Sequence, residues 1–114
     1  MIELAWPPRV LHPNARPHFH QKAKAAKAYR EAAYWTTRAT ALVIPQRPVL
    51  SITFFPPDRR RRDIDGMLSS IKAGLDGISD ALEVDDSLFS LRLSRAEPVK
   101  GGRVVITFQT EAQS

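Results

Sequence analysis

From Ile64 to Leu82 the apolar residues Ile64, Met67, Leu68, Ile71, Leu75, Ile78 and Leu82 recur at helical spacing and form one stripe. A helix with a single apolar stripe has to bury it against another element, which commits the chain to a layered fold. Gly66, Gly74 and Gly77 weaken the segment's own helix propensity, so packing rather than propensity must hold it. The opposing layer is legible as strands. Val49-Leu-Ser-Ile-Thr-Phe-Phe55 is β-branched and aromatic and stops at Pro56-Pro57. Ile2 to Trp6 alternates apolar and polar ahead of Pro7-Pro8. Phe89 to Ser94 and Arg103 to Thr110 also alternate, and Lys100-Gly101-Gly102 between them predicts the turn of an antiparallel hairpin. Phe19 to Leu42 is Ala-rich and free of Gly and Pro, which predicts a long first helix after a loop over Arg9 to Pro17. The expected order is β-α-β-α-β-β. It makes a small two-layer α/β (α+β) sandwich, with two main helices on one face of a mixed sheet of about four strands.

A chain of 114 residues has room for one core, so residues 1–114 are expected to form a single domain. Hydrophobic residues at 43% and charged residues at 25% fit a globular protein rather than a disordered one. The absence of cysteine excludes disulfides, thiolate metal sites and a cysteine nucleophile, and suits a reducing cytoplasm. Met1 to Trp6 has no basic stretch leading into an apolar run, so no signal peptide is expected. No run of 18 apolar residues occurs, so no membrane span is expected either. The net charge is +5, and without Arg59, Arg60, Arg61 and Arg62 it falls to +1. The basicity is thus one patch, which points to a polyanionic partner.

That patch runs into Asp63-Ile64-Asp65, two carboxylates where a strand and loop hand over to a helix. Asp85-Asp86 lies in the loop just after the same helix. Hard divalent cations such as Mg²⁺ take oxygen ligands, commonly one or two carboxylates plus phosphate and water. Carboxylates from two segments, beside arginines able to hold a phosphate, meet that need, so Asp63, Asp65, Asp85 and Asp86 are candidate ligands. At about 100° per residue, Asp65, Ser69, Lys72 and Asp76 fall on one helix face, displaced from the apolar stripe. Lys72 is therefore a candidate for stabilising developing negative charge. His12, His18 and His20 match no zinc spacing.

Pro57-Asp58-Arg59-Arg60-Arg61-Arg62-Asp63-Ile64-Asp65 resembles the signature of the RusA family of Holliday-junction resolvases. Leu4-Ala5-Trp6-Pro7-Pro8 is similar to the family's first strand, Val84-Asp85-Asp86 to its later acidic pair, and Lys100-Gly101-Gly102-Arg103 to its final hairpin. The resemblance implies a homodimer that binds four-way DNA junctions and makes paired cuts with Mg²⁺, or Mn²⁺ as substitute. It also implies a bacterial, phage or prophage protein acting in recombination and repair in the cytoplasm. Carried over, the catalytic aspartates fall on Asp63, Asp65 and Asp86, and Arg62 matches a family arginine. DNA contacts are expected from Arg59, Arg60, Arg61 and Arg62, and from Arg16 and Lys100. Two positions depart from the family pattern. Gly66 stands where an Asn often follows the second aspartate, and Ser69 stands where the essential lysine is usual, with Lys72 one turn on. Two other readings share these residues: a dimer that binds branched DNA without cutting it, and a Mg²⁺-dependent nuclease for flaps or single strands.

Overall fold

The computed structural model of the chain describes residues 1–16, 18–40 and 46–109. Four strands, β1 (Ile2–Ala5), β2 (Val49–Phe55), β3 (Ser90–Arg95) and β4 (Arg103–Gln109), form one sheet in the order β1-β4-β2-β3. Three α-helices cover one of its faces: α1 (Phe19–Arg38), α2 (Ile64–Ser70) and α3 (Lys72–Leu82). Single 3-10 turns at Arg9–Leu11 and Asp86–Leu88 complete the elements. The expected mixed sheet in a small α+β sandwich is the observed architecture, with three helices instead of two.

Strand alternation selects the buried face. Ile2 and Leu4 of β1, Leu50, Ile52 and Phe54 of β2, and Val104 and Ile106 of β4 are all buried. They meet Met67, Ile71, Leu75 and Ile78 of the predicted helical stripe, also buried, with Ile64, Leu68 and Leu82 packed against the same core. The predicted Ile64–Leu82 helix is nevertheless two helices. In a continuous helix the Met67 carbonyl would accept the Ile71 amide; here the buried Ser70 hydroxyl takes that carbonyl at 2.6 Å. The Ile71 N–H turns to Leu68 at 3.1 Å, and Ile71 leaves helical geometry at φ −105°, ψ 11°. A serine competing for its own helix's carbonyls is a known cause of bending.

The predicted hairpin is not formed. β3 pairs in parallel with β2, and β4 pairs antiparallel with β1 and β2, so β2 separates β3 from β4. The helical crossover α2–α3 returns the chain parallel to β2, and residues 96–102 then pass across the end of β2. Ala96 N–H donates to the Phe54 carbonyl and Val99 N–H to that of Pro56, both at 2.9 Å. Gly102 still serves a turn: at φ 68° an added Cβ would lie 3.0 Å from Trp6 and Pro57. The first helix, α1, runs to Arg38 with Ala39 as its cap. Leu42, Thr110 and Pro17, where elements were expected to end, lie outside the described residues.

α1 reaches α3 through small side chains. A Cβ at Gly77 would lie 2.2 Å from the Arg30 carbonyl oxygen, and one at Gly74 2.9 Å from the Tyr29 ring. Gly66, by contrast, has only Pro13 near its Cβ position, at 3.8 Å. Gly77→Ala should therefore destabilise the fold by about 1–3 kcal/mol, overpacking outweighing the helix-propensity gain of about 1 kcal/mol. Gly66→Ala should be neutral or slightly stabilising, and urea unfolding of the two variants checks the contrast.

Candidate functional site

The loop from Asp58 to Arg62 is tied down by its own charges. Asp58 accepts from the Arg60 N–H at 2.9 Å and pairs with the Arg62 guanidinium at 2.8 Å. Those bonds, Arg62 first, hold the Asp58 carboxyl below its ordinary range. Arg62 also donates to the Asp58 and Arg60 carbonyls and lies over the Trp6 ring at 5.5 Å. Its side chain is only 17% exposed, and Arg95 donates to the Arg62 carbonyl at 2.6 Å. Arg62 is a brace for the loop. The other three guanidiniums point outward: Arg59 makes an exposed pair with Glu97 at 3.2 Å, and Arg60 is 84% exposed. Arg61 makes no ion pair among the described residues and lines two adjoining hollows.

The larger of these hollows, about 770 Å³, has Arg9, His12 and Asn14 on one wall and Arg61, Asp63 and Asp65 on the other. Asp63 caps α2 with its backbone carbonyl, which accepts from Met67 N–H at 3.1 Å; its carboxylate makes no capping bond. Asp65 lies in the first turn of α2 and accepts from the Gly66 N–H at 2.9 Å. Both carboxylates are exposed. Arg9 and Asn14 were not singled out from the sequence, and His12 was noted there only as matching no zinc spacing, because a 3-10 turn in an irregular loop leaves no periodic signal. His12 is oriented by its Nε2, 3.1 Å from the Pro7 carbonyl.

A second hollow, about 380 Å³, opens between α2–α3 and the edge strand β3. Asp65 and Ser69 line both hollows, and Lys72 and Asp86 line the second. The bend at Ile71 leaves Asp65, Ser69 and Lys72 on one wall, as the helical face predicted. Lys72 bridges Asp76 at 2.6 Å and Asp86 at 3.2 Å. Asp76, then Asp86, raise the ammonium above its ordinary value, so it stays charged.

The acidic pair divides. Asp86 faces the hollow with Asp65, whereas Asp85 caps the 3-10 turn by accepting from Ser87 N–H at 2.8 Å. That bond lowers the Asp85 carboxyl below its ordinary range. Arg16 and Lys100 are exposed and line neither hollow. Among the described residues, no three His, Asp or Glu side chains converge as a ready-made metal site. Mg²⁺ does not need three: one or two carboxylates suffice when phosphate and water complete its octahedron. Asp65 and Asp86, with Asp63 close in sequence, are chemically suited to that role. Among the described residues no helix is long and apolar enough to cross a membrane.

No protein-family model matches the chain. It is 40% identical to an uncharacterized protein of Xylella fastidiosa strain Temecula1 over 112 residues, spanning 93% of this chain and 73% of the relative. The chain belongs to the family that this Xylella protein represents.

Proposed function

We propose that the chain is a Mg²⁺-dependent endonuclease that cuts branched DNA, with four-way junctions as its substrate, acting as a homodimer in recombination and repair. One observation carries the reading: Asp65 stands between a hollow lined by Arg9, Arg61 and Arg62 and a hollow lined by Lys72 and Asp86. Guanidiniums suited to a phosphate and carboxylates suited to a hard cation thus flank one side chain. The resemblance of Pro57–Asp65 to the RusA signature supports the same reading, and the observed fold is compatible with it.

In this mechanism Arg61 and Arg9 hold the phosphodiester against the acidic edge. Asp65 and Asp86, helped by Asp63, would hold the divalent cation. When bound, that ion supplies Lewis-acid polarisation of the phosphoryl oxygen and a more acidic water. Lys72 places its charged ammonium beside the same edge and offsets negative charge that develops there. Two symmetric cuts require two such edges, which a twofold homodimer supplies. A second reading, a branched-DNA-binding dimer without cleavage, draws on one contact. Lys72 already neutralises Asp86 at 3.2 Å, which lessens the pull of that carboxylate on a metal ion.

Asp65→Asn tests the proposal. The change keeps shape but removes an anionic ligand, so Mg²⁺-dependent junction cleavage should fall by about 10³-fold or more. Junction affinity in EDTA should hold or rise, because one charge repelling the phosphate is gone. Retained cleavage removes Asp65 from the site.

The acidic pair gives a second test. Asp86→Asn should abolish cleavage with little change in melting temperature, whereas Asp85→Ala should lower the melting temperature and leave a cutting enzyme. The reverse outcome exchanges their roles.

The arginines should separate likewise. Arg61→Gln should reduce the slope of log affinity against log salt by about 0.9, one phosphate contact, without affecting stability. Arg62→Gln should lower the melting temperature, since it releases Asp58 and uncovers Trp6.

A further inference from the structure

We infer that the second hollow receives an unstacked nucleobase of the strand whose phosphate lies in the arginine-lined hollow beside it. The inference rests on the DNA-binding reading above and adds to it the part of the substrate that confers selectivity. Leu68, Leu75, Phe89 and Leu91 give this hollow an apolar floor, and its volume of about 380 Å³ is that of a small-molecule site. Leu91 stands on edge strand β3, lines this hollow and is 38% exposed, so a ligand can reach it.

Charge sorts what each hollow accepts. The first presents the Arg9 and Arg61 guanidiniums beside Asp63 and Asp65, donors suited to a phosphate that a cation on the carboxylates would also hold. The second sets Lys72 against Asp65 and Asp86, so without a cation it repels one. A neutral ring suits it: apolar faces against Phe89 and Leu91, and an edge whose acceptors can meet Lys72. Asp65 and Ser69 belong to both walls, so a phosphate and its own base can occupy the two hollows together. A base stacked inside a duplex cannot enter. Unstacking is least unfavourable where pairing is already broken, as at a branch, so the hollow selects for branched DNA.

The full chain, in EDTA so that nothing is cut, is titrated against a four-way junction with unpaired nucleotides at its branch and against an intact duplex of matching sequence. Both carry 2-aminopurine beside the branch position. Wild-type protein should raise the 2-aminopurine emission of the junction and not of the duplex. Leu91→Gln and Leu91→Ala, at a partly exposed edge position, should abolish that rise and weaken junction binding roughly 10-fold. Duplex affinity, set by the phosphate backbone, should stay within about twofold. Junction binding by wild type with no emission change overturns the inference and leaves the DNA-binding reading standing; no binding of either DNA removes both. Equal losses on both DNAs would assign Leu91 to the fold. Altered sedimentation of the DNA-free variants with unchanged DNA affinity would assign the hollow to a contact between copies of the chain.

Discussion

The close approach of α1 to α3 is the constraint on which the rest of the molecule depends. With no Cβ at Gly77, α3 lies against the Arg30 carbonyl and the Ala33 methyl of α1. At that distance Tyr29 reaches past Gly74 to donate its hydroxyl to the Ala5 carbonyl at 2.6 Å. Burial raises that phenol above its usual range, keeping the donor protonated. Arg30 closes the contact from outside with a two-pronged bond to Asp80 at 2.7 and 2.9 Å. One helix is thereby fixed to another and to the first strand, and the helical layer is positioned on the sheet without help from any residue of the candidate site.

Everything at the candidate site hangs from that layer. α3 fixes Lys72, and through the bend at Ser70 it sets the direction of α2, hence where Asp63 and Asp65 emerge. The loop before α2 is braced separately, by Arg62 on Asp58 and Trp6, so that Arg61 is presented rather than consumed. Of four consecutive arginines, one holds the loop and three face solvent. Composition alone assigns them one role; geometry divides them.

The sequence made the core legible because burial follows periodicity. The stripe Met67, Ile71, Leu75 and Ile78 and the alternation of β1, β2 and β4 supply most of the buried core, to which Leu11, Tyr29 and Ala33 add from outside both patterns. The pairing of β3 was not legible, because alternation fixes which face a strand buries but not which neighbour it joins. Lys100-Gly101-Gly102 does turn the chain, yet the strands on either side are separated by β2. The helix break was hidden as well, since a serine that takes a carbonyl looks like any small residue in the pattern. At the site, Asp65, Ser69 and Lys72 were expected on one face and line one hollow. The unequal stations of Asp85 and Asp86, one a cap and one facing the hollow, depend on a single backbone hydrogen bond that no spacing reveals. Arg9, His12 and Asn14 reach the site through loop geometry, so the sequence shows His12 only as a histidine without a metal spacing and does not mark the other two.

The central claim is that Asp65 and Asp86 together hold a divalent cation beside the arginine-lined hollow. Anomalous diffraction from a crystal soaked in Mn²⁺ addresses it directly, because it locates the ion independently of any activity. The account predicts one peak or a close pair at the shared wall of the two hollows, with Asp65 and Asp86 oxygens in its coordination shell and Lys72 drawn off Asp86. An ion bound away from Asp65, or carboxylates that stay with Lys72 and backbone amides at saturating Mn²⁺, would contradict it.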